Sequence, residues 1–285
     1  MGRDLQTALK KYAEIQGHST GGMAGLIEEA LPAITKNRAA NTVSQYAGIS
    51  AKLKDVFQEF HPKDVKPSDI AELKKAYSDK PNMGNRMLSL IRLIFSYALE
   101  HRIVDFNPAL GIKPHPENKR TRLITSKEFS LIYKHASHKL KIIMDVQKLT
   151  GQRIGDVLKI KREDLLKEGI SFVQQKTGRK LVVKWSEDLN RAVSRASEVF
   201  GEGEYLFNNR NAKQTDYSTL KVMFKEATDK SGVKDARPND LRAMALTEAE
   251  GQGVDPTALA GHSTAATTKR YLRDRKARLV EGPKY

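Results

Sequence analysis

Three prolines, Pro108, Pro114 and Pro116, fall in a stretch over 108–124 that has neither a helical nor a strand period. Each disfavours helix at the residue before it. A single helical or sheet layer therefore does not run through the chain. The stretch also holds Lys113, Lys119, Arg120 and Arg122, and reads as a basic linker over 109–124. Two domains are expected, and 285 residues are enough to give each a core.

The pattern before the linker is helical. Leu5, Leu9, Tyr12 and Ala13 form one stripe of a short N-terminal helix within residues 1–20. Val43, Tyr46, Ser50, Leu53, Phe57 and Phe60 trace a longer stripe, with Asn41 as its expected N-cap. Ser68 is expected to cap a helix from Asp69 to about Ser78. A third stripe runs through Met83, Met87, Leu90, Ile91, Ile94 and Ala98. Such apolar stripes are core before they are binding faces. Residues 21–108 thus read as a helical bundle.

After the linker the pattern is mixed. Thr125 and Glu128 have capping-box spacing, and an apolar helix is expected from about Leu140 to Leu149. Two β-rich runs, 169–176 and 179–185, flank Thr177 and Gly178, a hairpin signal. Helical patterns return at about 186–199, 217–230, 239–250 and 255–260. The fold class is mainly α with a small antiparallel β-sheet, and residues 125–285 form the second domain.

Charge narrows the partner. Lys and Arg outnumber Asp and Glu by 50 to 34, a formal net charge of +16. Up to residue 112 the counts are 15 and 12, and beyond it 35 and 22, so most of the excess lies in the second domain. That balance points to nucleic acid or an acidic membrane surface. No apolar run approaches the roughly 18 residues of a membrane span. The absence of cysteine excludes a disulfide framework and a thiolate nucleophile or metal site. His135 and His138 are spaced i, i+3 but lack further partners in a motif, so no metal is assigned.

Four segments of the second domain hold polar groups that their local structure does not need. They are Thr150-Gly151-Gln152-Arg153, followed by Asp156; the hairpin around Lys176; Asn239-Asp240-Leu241-Arg242 at a helix start; and Leu259-Ala260-Gly261-His262 with Tyr271 nine residues on. Taken in order, they resemble the tyrosine recombinase, or phage integrase, family. That family has an arginine in a T-G-x-R box, a hairpin lysine and an H-x-L-R box. Its L-x-G-H box is followed after nine residues by a nucleophilic tyrosine. The resemblance covers about residues 120–275, and the helical part before it is similar to the family's core-binding domain. Asn239 departs from the pattern, standing where the family usually has histidine.

The resemblance implies a site-specific DNA recombinase with Tyr271 as nucleophile forming a 3′-phosphotyrosyl link, Arg153 and Arg242 gripping the phosphate, Lys176 as general acid and His262 bonding the phosphate. Asp156 would orient a catalytic side chain, and Asn239 would serve as a hydrogen-bond donor that cannot exchange protons near neutral pH. No cofactor is needed, since the covalent link keeps the phosphodiester energy. Both domains would close on DNA as a C-shaped clamp, with Lys119, Arg120 and Arg122 tracking the backbone and Asn85 and Arg86 facing a groove. Expected partners are double-stranded DNA attachment sites and a homo-tetramer on paired sites, with room for accessory DNA-bending or directionality proteins and no membrane. The expected location is the cytoplasm, at a bacterial nucleoid. Residues 1–20 are too few for the β-rich arm-binding domain of many phage integrases, so the chain is expected either to work without arm sites or to be part of a longer protein. The tail after Tyr271, with Leu279 and Val280, is expected to dock on a neighbouring protomer. A catalytically impaired DNA-binding protein and a type IB topoisomerase are the alternatives.

Overall fold

The computed structural model describes residues 21–117, 120–175, 177–269 and 271–272. The expected N-terminal helix, Lys119, Lys176 and the C-terminal tail lie outside the described residues. The chain divides into two compact units between Lys119 and Arg120. Among the described residues no helix is long and apolar enough to cross a membrane.

The first unit contains helices α1 (Gly22–Thr35), α2 (Ala40–Val56), α3 (Pro67–Ala76) and α4 (Pro81–Glu100). Each of the other three packs against α4, whose Met87, Leu90, Ile91, Ile94, Phe95 and Ala98 are buried. Helix α1 belongs to none of the expected stripes, although its buried Met23, Leu26, Ile27 and Ala30 keep strict i, i+3, i+4, i+7 spacing. Two expected caps are corrected. Helix α2 starts after Ala39, two residues earlier than an Asn41 cap would place it, and Ala39 supplies no side-chain cap. Helix α3 starts at Pro67, whose fixed φ suits the first helical position. There the Asp69 carboxylate, not Ser68, accepts the Lys66 N–H at 2.8 Å.

Asn85 is tied to the start of the linker. Its amide donates to the His115 carbonyl at 2.9 Å and to Glu117 Oε1 at 2.6 Å, and its oxygen accepts the His115 N–H at 2.7 Å. Both ends of the carboxamide hold the chain over 115–117. Arg86, the next residue, is exposed.

The second unit contains α5 (Ser126–His135), α6 (His138–Thr150), a short α7 (Ile154–Val157), the hairpin strands β1 (Gly169–Val173) and β2 (Lys180–Lys184), then α8 (Glu187–Phe200), α9 (Tyr217–Ser231), α10 (Pro238–Gly251), α11 (Pro256–Ala260) and α12 (Ala265–Thr268). The strands pair antiparallel from Gly169 opposite Lys184 to Val173 opposite Lys180. Helix α6 is the centre of the unit. It packs against α8, α9 and α10, and Leu140, Ile142, Ile143, Met144 and Val146 are buried around it. The expected capping box opens α5, with Thr125 Oγ1 accepting from the Glu128 N–H and Glu128 accepting from the Thr125 N–H.

The arginines at the entrance to this unit pair with acids. Arg120 donates from Nε and Nη2 to Asp240, at 2.9 and 2.6 Å, and from Nη1 to Asp235 at 2.7 Å. Arg122 donates to Glu128 at 2.6 Å and holds its carboxyl down at about 2. Both guanidiniums are thus tied to carboxylates of the second unit. Asp240 is 1% exposed, and its carboxylate also caps the Arg237 N–H at the start of α10. Removing a bidentate guanidinium from a buried carboxylate is costly. Arg120→Ala is therefore expected to destabilise the second unit by about 3 kcal/mol. Urea titration followed by Trp185, the single tryptophan, measures this, and an unchanged midpoint would refute it.

Candidate active site

Four turns of the second unit converge, and glycine makes two of them. Helix α6 ends at Gly151, whose φ of 64° is left-handed. The reversal puts Gln152 and Arg153 at the start of α7 and turns the Gly151 carbonyl toward α10. Gly261 ends α11 with a φ of 60°. A Cβ there would lie 2.7 Å from both Gln174 Nε2 and Leu181 Cδ2. Only glycine fits where the His262 loop passes the hairpin.

Arg242 occupies the centre. It is fully buried on α10, donating from Nη1 to the Gly151 carbonyl at 3.0 Å and from Nη2 to the Ala260 carbonyl at 2.9 Å. Nη2 also lies 3.1 Å from His262 Nε2. Its Nε is buried without a hydrogen-bond partner among the described residues. Burial, then the Arg153 charge, lowers the Arg242 pKa, while Tyr271 and Asp156 oppose the fall. The group stays cationic at neutral pH. A buried cation with an unmatched donor is costly in the absence of an anion.

Tyr271 lies over this cation. Its ring is 5.2 Å from Arg242 Cζ and stacks on His262 with centroids 5.3 Å apart and planes at 28°. The nine-residue spacing from His262 is bridged by α12, after which the Tyr271 N–H bonds the Thr268 carbonyl at 2.7 Å. A rival tyrosine in the unit, Tyr133, is spent elsewhere, donating to Asp145 at 2.8 Å.

Arg153 donates to Gln174 Oε1 at 3.1 Å and lies 3.8 Å from Asp156 Oδ2. Asp156 is buried and accepts the Gln175 N–H at 3.1 Å through Oδ1, which fixes the Arg153 turn to the hairpin. Two residues absent from the sequence-derived set complete the link. Gln174, fully buried, donates to Gln152 Oε1 at 2.9 Å and to the Ala260 carbonyl at 2.7 Å, and accepts from Thr177 at 3.0 Å as well as from Arg153. Gln152 donates in turn to the Leu259 carbonyl at 2.6 Å. The signal for both was slight: each is a glutamine adjoining a candidate catalytic segment, with no periodicity to mark it as buried.

Asn239 is exposed in the first turn of α10, one turn before Arg242 and so on the same helix face. Arg153, Arg242, His262, Tyr271 and Asp156 are thus brought together, while Lys176 lies outside the described residues.

Burial first, then the charges of Arg242, Arg153 and Arg179, pushes His262 down to about 4 from an ordinary 6.5. As pH falls, the unfolded chain takes up this proton before the folded chain does. The stability contributed by the neutral ring is therefore complete above about pH 6.5 and is lost progressively as pH falls toward 4. After solvent screening we expect a loss of about 1–2 kcal/mol attributable to this ring between pH 7 and 4.5. The measurement is the difference in urea stability between wild type and His262→Gln across that range, and parallel pH profiles would contradict it.

Residues 122–278 match the model of the phage integrase family. The chain belongs to the phage integrase family. Among its relatives, the integrase of Enterobacteria phage P21 is 29% identical over 243 residues, covering 75% of this chain and 63% of that protein. The prophage integrase IntE of Escherichia coli K12 is 28% identical over 233 residues, covering 73% and 62%. This family member thus spans somewhat less than two thirds of the length of these curated relatives. Its fold matches a lambda integrase dimer bound to a COC′ core site, with a TM-score of 0.82, 19% identity and coverage of 98% of this chain and 83% of that one. The Tn1549 transposon integrase in complex with circular intermediate DNA matches with a TM-score of 0.73 and 16% identity, over 90% and 97% of the two chains. The mainly helical fold with its small antiparallel sheet is the integrase fold.

Proposed function

We propose that this chain is a site-specific DNA recombinase, cutting and rejoining strands to integrate or excise a mobile element. The observation that carries the reading is the buried Arg242 guanidinium, with an unmatched Nε donor, beneath the ring of a tyrosine. A phosphodiester supplies the missing acceptor and charge. Arg153 and Arg242 hold its two non-bridging oxygens, guanidinium being forked for phosphate. The Tyr271 Oη attacks phosphorus, the bond to the 5′-oxygen breaks, and a 3′-phosphotyrosyl link remains. The phenol releases its proton to solvent as it attacks beside these cations. Lys176 gives its proton to the departing 5′-oxygen. Asp156 and Gln174 hold Arg153 in place, and Asn239 offers its amide to the phosphate.

Religation reverses these steps with a 5′-hydroxyl from the partner strand, so no cofactor enters. The basic excess gives affinity through phosphate contacts, which carry no sequence information themselves. The partners are paired double-stranded attachment sites at the bacterial nucleoid, occupied by four protomers, with accessory DNA-bending or directionality proteins as further components. Support for four comes from the fold's likeness to a lambda integrase tetramer bound to a Holliday junction.

The test is a nicked duplex carrying a candidate core site, which loses a short fragment on cleavage and traps the covalent product. A band surviving denaturation supports the reading. Asn239 favours a second reading, a DNA-binding protein on a recombinase scaffold. Tight binding on a native gel with no covalent band would favour that instead.

A further inference from the structure

The hairpin carries a cation that none of the four motif segments accounts for. The Gln174 N–H bonds the Arg179 carbonyl at 2.8 Å, one step beyond the register that ends with Val173 opposite Lys180. Gln174 and Arg179 therefore stand opposite each other, and residues directly opposite leave a sheet on the same face. Gln174 shows which face that is, being fully buried and bonded to Arg153 and to the Ala260 carbonyl. Leu181, two residues on from Arg179 and so on the same face, has its Cδ2 only 2.7 Å from where a Cβ on Gly261 would lie. Arg179 thus leaves the hairpin on the side that carries the site, and at its open edge, since Arg179 is exposed where Gln174 is buried.

Pairing and charge point to the ligand. Asp156 lies beside Arg153, while two carbonyls and His262 surround Arg242. Among the described residues the Arg179 side chain has neither a carboxylate nor a hydrogen-bond acceptor. Its charge nevertheless reaches the His262 ring, together with those of Arg242 and Arg153. Among the described residues Asp156 is the acid of this cluster, so three guanidiniums meet one carboxylate and two positive charges are in excess. A phosphodiester brings one negative charge. The phosphate beside Tyr271 meets half of the excess, and the next phosphate along the same strand meets the other half.

We propose that Arg179 binds a phosphate adjoining the scissile one and so holds the strand at a second point beside Tyr271. This rests on the recombinase reading for which phosphate is scissile, though not for the contact with DNA. Guanidinium suits the task, being permanently charged and forked for phosphate oxygens. Held at the scissile phosphate alone, the strand can turn about that point. A second grip on the neighbouring phosphate keeps the scissile bond in line with the Tyr271 Oη. Lys180, the next residue, pairs with the exposed Val173 on the opposite face of the hairpin and provides the control.

The test steps one neutral methylphosphonate along the scissile strand of the nicked duplex and measures how binding falls with salt. Each phosphate contact contributes about 0.9 to that logarithmic slope. For wild type the slope is expected to drop by about 0.9 when the phosphate next to the scissile one, mapped from the covalent product, is neutralised. Arg179→Ala should show the lower slope on the unmodified duplex and no further drop at that position, whereas Lys180→Ala should still drop there. At saturating protein, Arg179→Ala and the neutralised duplex should each form covalent product about tenfold more slowly, the worth of one charge-assisted hydrogen bond. Combined, they should be no slower than either alone. Arg179→Ala with the wild-type slope overturns the proposal. So does a further drop at every position, or coupling at the scissile phosphate or at one not adjoining it. If wild type forms no covalent product while one phosphate is coupled to Arg179, the recombinase reading fails and the contact with the backbone stands. Covalent product with no coupled phosphate does the reverse.

Discussion

Tyr271→Phe binds the nicked duplex as tightly as wild type and yields no covalent band. The substitution removes one oxygen and leaves the ring, which keeps its stacking on His262 and the face presented to the Arg242 cation. Folding and DNA affinity should therefore change little, within about 0.5 kcal/mol. The chemistry loses its nucleophile altogether. Removing a nucleophile that acts as one unit with its neighbours typically costs 10⁴-fold or more, beyond detection in a gel assay. Water could still attack the phosphate, but it would leave no protein attached. The readout thus separates tyrosyl transfer from hydrolysis by contaminating nuclease. A covalent band persisting in Tyr271→Phe would move the nucleophile to another residue, and Tyr133, already bonded to Asp145, would not be the first to try.

Much of this arrangement is legible in the sequence because it depends on local chemistry. The capping box at Thr125 and Glu128, the strands either side of Thr177-Gly178, and the α6, α8, α9 and α10 helices follow from spacing and turn residues alone. Helix α1 has equally regular spacing, and its Met23, Leu26, Ile27 and Ala30 stripe, buried in a helix that packs against α4, holds it helical through Pro32. The motif residues could be named because four segments, taken in order, resemble the boxes of the tyrosine recombinase family. What holds them is not encoded at short range. Gln174 meets Ala260 across 86 residues, and Arg120 meets Asp240 across 120. A lone sequence carries no mark of such pairings. The linker arginines are another case: on the sequence they form a basic run, and the fold gives Arg120 and Arg122 each a carboxylate within 3 Å that the run does not announce.

Arg242→Lys keeps the charge and is nevertheless expected to lose both stability and cleavage. The guanidinium reaches the Gly151 and Ala260 carbonyls and His262 Nε2 from two nitrogens spread in one plane. An ammonium offers its donors from a single atom in a tetrahedral array. It cannot reproduce bonds to acceptors placed around a fork, so at least one buried carbonyl loses its partner. That costs about 1–3 kcal/mol for each group left unsatisfied, read as a lower urea midpoint in the Trp185 signal. The effect on chemistry should be larger. Without the Nε donor and its preset angle, one developing charge on the phosphorane loses its stabilisation, worth about 2.7–4 kcal/mol, or roughly 10²–10³ in rate. DNA affinity should hardly change, because a single phosphate contact is a small part of a basic protein's grip on a duplex. Comparing adduct formation at saturating protein with binding on a native gel separates the two effects. Cleavage at the wild-type rate by a well-folded Arg242→Lys would mean that charge alone suffices at this position, and the geometric account of the site would have to be abandoned.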